Sequence, residues 1–222
     1  MLTYDVKRLV FSSSAAVYGE PQAIPITEDH PINPVNPYGE TKATVERLLP
    51  WYEQAAGLNW VALRYFNAAG AGHRQGEDHR PETHLIPIVL QVALGQRDAV
   101  PLFGQDYPTK DGTCIRDYIH VEDLAAAHVL ALDHTANASG AYNLGSGTGF
   151  SNREVIQAAR NVTEHEIPVT DQPRRPGDPA ALVASRDKAE RELGWLLQHP
   201  DIESIIADAW EWHRTHPDGY TA

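Results

Sequence analysis

A single cysteine, Cys114, stands in 222 residues, so no disulfide can form within the chain, as suits a reducing compartment. Cys114 itself reads as a buried or half-buried spectator. Basic residues are scarce: 18 Lys and Arg face 30 Asp and Glu, for a formal net charge of −12. That balance excludes nucleic-acid binding through a broad basic face, which needs clustered cations to displace counterions. It leaves room for an anionic small ligand, since one or two arginines suffice to hold one. No apolar run approaches the ~20 residues of a membrane span. The opening "MLTYDVKRLVFSSS" lacks the apolar stretch and small-residue cleavage site of a signal peptide. A soluble, cytoplasmic protein is expected, without internal repeats or low-complexity tracts.

What is present is ordinary globular material, 42% hydrophobic and 22% charged. "RLVFSSS" reads as a buried parallel strand opening into a loop. A proline-rich connector follows. Asn36 then caps a helix with Pro37 in its first turn and Gly57 at its end, and Pro50 predicts a kink or break inside it. "NWVALRYFN" reads as a strand, "LIPIVLQVALG" as a helix, "AVPLFG" and "CIRDYIHV" as strands, and "LAAAHVLALDH" as an amphipathic helix opened by Glu122 and Asp123. "AYNLG" is a strand, Ser151 and Glu154 have capping-box spacing before the next helix, "IPVT" is a short strand, and two helices close the chain. The alternation predicts an α/β fold with parallel pairing. Residues 1–70 read as half of an open Rossmann-like sheet. Residues 71–222 read as a smaller α/β substrate-binding part, with some elements returning to the sheet.

Tyr38 and Lys42 of "PYGETK" stand one helical turn apart and share a helix face. Alone, the pair reads equally as two surface residues. A tyrosine is a poor base at neutral pH, with an ordinary pKa of ~10. A nearby ammonium favours its phenolate, which makes the pair a plausible general acid–base unit. Ser14, at a strand end, supplies a hydroxyl where an open α/β sheet places its ligand crevice.

"VFSSSAAVYGE", "NPYGETK" and "LRYFNAAGA" resemble the extended short-chain dehydrogenase/reductases. "HLIP", "LFGQDYPTKDGTCIRDYIHVEDLAAAH", "YNLGSGTGFS" and "PRRPGDPAALVA" narrow the resemblance to the UDP-glucose 4-epimerases, nearly end to end. The resemblance implies Ser14, Tyr38 and Lys42 as a catalytic triad, bound NAD as a recycled redox cofactor, and UDP-galactose and UDP-glucose as substrates interconverted through a 4-keto sugar. Ala15 and Ala16 stand where related dehydratases and decarboxylases carry acidic residues, which favours epimerisation. Tyr65, with Tyr38 and Lys42, falls on the nicotinamide side, and Asn67 on the substrate side. His84 and Leu85 match substrate-contacting positions, and Phe103 matches the aromatic near the uracil. Arg116 and Arg175 match two pyrophosphate-binding arginines, and Tyr118 and Asp178 match ribose-side residues. Leu182 stands at a gatekeeper position whose small side chain admits N-acetylated UDP-sugars. Arg64 reads equally as part of the site or as an ion pair under the sheet.

Two tempting motifs have plainer readings. His73, His79 and His84 share a loop with Glu77, Asp78 and Glu82, but their spacing matches no standard zinc pattern, so a solvated polar loop and no metal are expected. "GSGTG" (145–149) mimics a dinucleotide loop, yet Phe150 stands where a third glycine belongs, so a tight turn into the next helix is expected. Trp210 and Trp212 read as packing residues.

The family begins with a strand, a G-x-x-G-x-x-G loop and a helix that holds the NAD pyrophosphate. About 100 residues, at ~30 per βα unit, find no counterpart in this sequence. The resemblance therefore implies an N-terminally truncated member of a homodimeric family, lacking one interface helix and exposing an apolar strand edge. Two readings stay open: an epimerase whose missing half is supplied otherwise, and a remnant that binds UDP-sugars without turnover.

Overall fold

The computed structural model describes residues 1–72 and 74–220. In chain order these form β1 (Arg8–Ser14), α1 (Pro37–Ala56), β2 (Asn59–Tyr65), β3 (Asn67–Ala69), α2 (Leu85–Ala93), β4 (Val100–Phe103), β5 (Ile115–Arg116) and β6 (Tyr118–His120). They continue through α3 (Val121–His134), β7 (Gly140–Leu144), β8 (Phe150–Ser151), α4 (Asn152–Thr163), β9 (Val169–Gln172), β10 (Ala181–Leu182), α5 (Asp187–Leu193) and α6 (Ile202–Thr215). Among these described residues no helix is long and apolar enough to cross a membrane.

The main sheet is parallel, in the order β1-β2-β7. Its register sets Ser14 beside Tyr65 and Tyr65 beside Leu144, so three strand ends finish level at one edge. Further pairs extend from there: β3 with β6, β4 with β9, and β5 between β10 and β8. The α/β class with parallel pairing is as expected.

Three clusters make the core. Beneath the sheet, Val61, Leu63, Tyr142 and Leu144 meet Leu124 and Ala127 of α3, with Trp195 wholly buried among them. Ile86, Val89 and Leu90 of α2, Val155 and Ile156 of α4, and Ile205 and Ile206 of α6 form a second, wholly apolar cluster against β4. A third, around Val17, Tyr18 and Ile26, takes in Ala43 of α1, Phe66 and Leu182.

Local signals set several boundaries as expected. Asn36 accepts the Gly39 N–H at 2.8 Å, and Gly57 closes α1 in the left-handed region at φ 64°. Ser151 and Glu154 form a complete capping box on α4. Two expectations are not met in full. Of the kink or break expected at Pro50, the break does not occur, since α1 runs through it as one helix. An interior proline costs a helix about 3 kcal/mol, but Ala43, Glu46 and Leu49, all just ahead of Pro50, are buried and hold the helix down. "CIRDYIHV" is not one strand: it divides at Asp117 into β5 and β6, which join different sheets. The Asp117 carboxylate is buried and accepts N–H groups from Ser146 (2.6 Å), Gly147 (3.1 Å) and Ala184 (3.0 Å), so the chain turns about a polar pivot.

Candidate active site

The C-terminal edge of the main sheet opens into a cavity of about 1250 Å³. Ser14 reaches it from the end of β1 and Tyr38 from the first turn of α1. Their proximity depends on Gly39: a Cβ there would lie 2.4 Å from the Ala16 carbonyl oxygen. Only glycine lets the start of α1 lie on the turn that follows Ser14. That turn is itself pinned by the Ser14 Oγ, which accepts the Ala16 N–H at 3.2 Å. Tyr38 is 54% exposed and free to meet a ligand. Lys42 stands behind it, outside the cavity lining. Its Nζ lies 5.6 Å from the centre of the Tyr38 ring and donates to the Ser12 carbonyl at 2.9 Å.

Beneath this edge lies a buried polar network. Arg64 of β2 donates from Nε to both Glu46 carboxylate oxygens (3.0 and 3.1 Å) and from a terminal nitrogen at 2.5 Å. Ser13 Oγ donates to the same carboxylate at 2.5 Å. Arg64 also donates to the Tyr18 hydroxyl at 2.9 Å, and that hydroxyl donates to Asn143 Oδ1 at 2.6 Å. Burial, the largest single cause, would lower the guanidinium's pKa, but its hydrogen bonds and charge interactions with Glu46 and Tyr18 together raise it. Burial pushes the Tyr18 phenol up to about 12. The network ties β1, β2, β7 and α1 together, so Arg64 is an ion pair under the sheet rather than a cavity residue.

The remaining expected residues gather on the cavity wall. Tyr65, Asn67, His84, Leu85, Phe103, Arg116, Tyr118, Arg175 and Asp178 all line it. Asn67 is held by its side-chain N–H on the Asp117 carbonyl at 2.9 Å. Arg116 donates to the Ile115 and Pro179 carbonyls, both at 2.9 Å, and pairs with Asp178 at 3.2 Å. Arg175 lies flat over Phe103, its guanidinium carbon 3.9 Å from the ring centre. Tyr118 is buried, which drives its phenol above the ordinary value against the pull of Arg116. Leu182 is placed apart, packed with Phe66 on the Val17–Ile26 cluster and outside the lining.

Other wall residues carried no sequence signal as site residues: Gln75, Asn152, Trp212 and His213. Trp212 is packed, as expected, but it also shapes the wall. It stacks on His216 at 3.8 Å, and a Cβ at Gly76 would strike its ring. The "GSGTG" turn is a turn: Asp117 accepts the Ser146 and Gly147 N–H groups, where a phosphate loop would offer such groups to a ligand. His73 lies outside the described residues.

A parallel sheet whose level strand ends carry serine and tyrosine, facing a cavity lined by Arg74, Arg116 and Arg175, defines an α/β enzyme fold with its ligand crevice at the carboxyl edge. The chain belongs to the NAD dependent epimerase/dehydratase family, whose sequence model matches residues 1–145. It is 58% identical over its whole length to the UDP-glucose 4-epimerase of Halalkalibacterium halodurans, covering 67% of that protein. A crystal structure of a UDP-glucose 4-epimerase superposes with a TM-score of 0.95 at 55% identity, over 99% of this chain and 68% of that one. The Bifidobacterium longum UDP-glucose 4-epimerase, solved with NAD+ and UDP, gives 0.91 at 44% identity, over 98% and 67%. The chain thus spans about two thirds of the length of these relatives.

Proposed function

We propose that the chain carries the substrate-side machinery of a UDP-glucose 4-epimerase, interconverting UDP-galactose and UDP-glucose with NAD. The observation that carries this is one cavity lined both by Ser14 and Tyr38 and by Arg116 and Arg175. A sugar nucleotide has matching chemistry: a hexose hydroxyl to deprotonate and a pyrophosphate for guanidinium groups to hold.

In this reading the Tyr38 phenol oxygen takes the proton of the sugar 4-hydroxyl as the 4-keto sugar forms, then returns it. Lys42 favours the phenolate electrostatically, and Ser14 aligns the reacting oxygen. Arg116 and Arg175 grip the pyrophosphate, Phe103 faces the uracil, and Tyr118 and Asp178 meet the ribose. Asn67, His84 and Leu85 complete the substrate wall. Ala15 and Ala16 leave no second acid–base group beside Ser14, which suits inversion rather than elimination. NAD, when bound, supplies a hydride acceptor that also gives the hydride back. Tyr38, Lys42 and Tyr65 would hold its nicotinamide end. Lys42 fits that task, since one ammonium N–H is used on Ser12 and the others are left for hydroxyl acceptors. We place this activity in the cytoplasm and, by resemblance, in a homodimer, for which α1 offers the exposed Leu48, Trp51 and Tyr52.

A second reading, UDP-sugar binding without turnover, is favoured by the "GSGTG" turn, whose Ser146 and Gly147 N–H groups are taken by Asp117 and so are not offered to a cofactor phosphate. One experiment separates the two. Purified chain is incubated with UDP-galactose, with and without added NAD, and UDP-glucose is measured. Conversion that requires NAD supports the epimerase. Binding of UDP with no conversion establishes the second reading. UDP-N-acetylglucosamine run in parallel tests whether N-acetylated sugars are accepted, Leu182 lying outside the cavity lining.

A further inference from the structure

The segment between β3 and α2, expected to be a solvated polar loop, is irregular and largely exposed over its described residues, and it gathers Glu77, His79, Glu82 and His84. One ligand atom from each lies within 4.8 Å of all the others. His84 Nδ1 is 2.6 Å from a Glu77 carboxylate oxygen and 3.1 Å from Glu82 Oε1. His79 Nδ1 is 3.6 Å from that same Glu82 oxygen. The two imidazole centres are 5.1 Å apart. Glu82 is no surface acid: its side chain is 4% exposed and its Oε1 also accepts the Thr83 and His84 N–H groups. Arg80, between these residues in sequence, turns away to Asp78 at 2.8 Å and to the Asp218 carbonyl.

We propose that Glu77, His79, Glu82 and His84 form a binding site for a divalent transition-metal ion of the zinc class. Two imidazole nitrogens and two carboxylate oxygens are a donor set such ions take, at about 2.0–2.2 Å per bond in a tetrahedron. Donors at that bond length lie roughly 3.3–3.5 Å from one another, so the His84 pairs at 2.6 and 3.1 Å open slightly and the wider pairs, all within 4.8 Å, draw in. Two carboxylates also match the charge of a dication. Glu77 and His84 line the large cavity, while His79 and Glu82 face a smaller one beside α6. The ion therefore sits in the wall between them and fixes the loop at the rim of the larger cavity. A second group, His120, Glu122 and His199, brings only three donors, one of them tied up. His120 Nδ1 accepts the Glu122 backbone N–H at 3.1 Å, so its Nε2 carries the proton and has no lone pair to give.

The site is independent of turnover and is tested by binding. The full chain, stripped with a chelator, is titrated with zinc against a chromophoric chelator and with cobalt by visible absorption. The expected result is one equivalent of zinc and the intense bands of four-coordinate cobalt. His79→Ala and the near-isosteric Glu82→Gln should each weaken zinc binding at least ~10–100-fold. His165→Ala, remote from the cluster, should not. Circular dichroism confirms that each variant is folded, and Glu82→Gln decides if His79→Ala is not. Failure of the wild-type chain to take up an equivalent of zinc, or undiminished affinity in Glu82→Gln, overturns the site.

Discussion

The two walls of the cavity are fastened in different ways. On the Tyr38 side, α1 meets its sheet through a buried carboxylate and guanidinium, with Ser13, Tyr18 and Asn143 completing their hydrogen bonds. Where α2, α4 and α6 back the cavity, they meet through buried isoleucine, leucine, valine and alanine, with one exposed hydrogen bond from Asn161 to Glu203. Apolar burial is strong but indifferent to direction, whereas hydrogen bonds fix angles. A tyrosine that must meet one oxygen needs its helix held at a set angle. A wall that receives a nucleotide needs bulk and shape. On this account the fold places directional bonding where proton transfer would occur and uses burial elsewhere.

The largest stability effect should come from splitting the ion pair. Arg64→Met leaves Glu46 charged and buried, and should cost about 3–5 kcal/mol in denaturant unfolding. Arg64→Met with Glu46→Leu should recover much of that stability, because no lone charge remains, yet the angle of α1 should loosen. If the single and double variants are equally unstable, the network is not acting as a pair. Next comes the apolar wall. Ile206, fully buried, should lose about 2–5 kcal/mol on Ile206→Ala, and the loss should scale with the cavity left behind. The two walls would prove alike if the Ile206 variant also changed the angle of α1.

A smaller and pH-dependent effect belongs to Glu28, which accepts the Asn143 N–H at 2.7 Å at the margin of the network. Burial, the dominant cause, raises its pKa above the ordinary 4.5. Because the folded state holds this proton more tightly, its stabilising contribution is full below the unfolded value. It is lost as the pH rises through the folded one. Glu28→Gln cannot lose that proton, so it should gain stability relative to the wild-type chain as the pH climbs from about 4.5 towards neutrality. A constant difference across that range would show that Glu28 does not titrate within the fold.

Much of this was legible because its causes are local. Asn36, Pro37 and Gly57 bound α1, and Ser151 with Glu154 starts α4, by hydrogen bonds a few residues long. Nine of the resembling positions beyond Ser14 and Tyr38 reach the cavity, Tyr65 from a strand end level with Ser14 and the others from the remaining elements and loops. What escaped depends on distant partners. Pro50 stays helical because of burial on the sheet. Asp117 divides a strand because it answers N–H groups 29 to 67 residues away. The strands β8 and β10 are two residues each and carry no periodicity. Leu182 packs away from the cavity through contacts its own sequence neighbourhood does not announce. The Glu77–His84 cluster forms in irregular chain, where neither a helical nor a strand period predicts which side chains meet.

The proton-transfer role of Tyr38 is tested most directly by Tyr38→Phe, which deletes one oxygen from an exposed ring and leaves α1 intact. With UDP-galactose and NAD, conversion to UDP-glucose should fall by about 10²–10⁴-fold relative to the wild-type chain, while UDP affinity stays the same. Conversion at the wild-type rate in the phenylalanine variant would contradict the account.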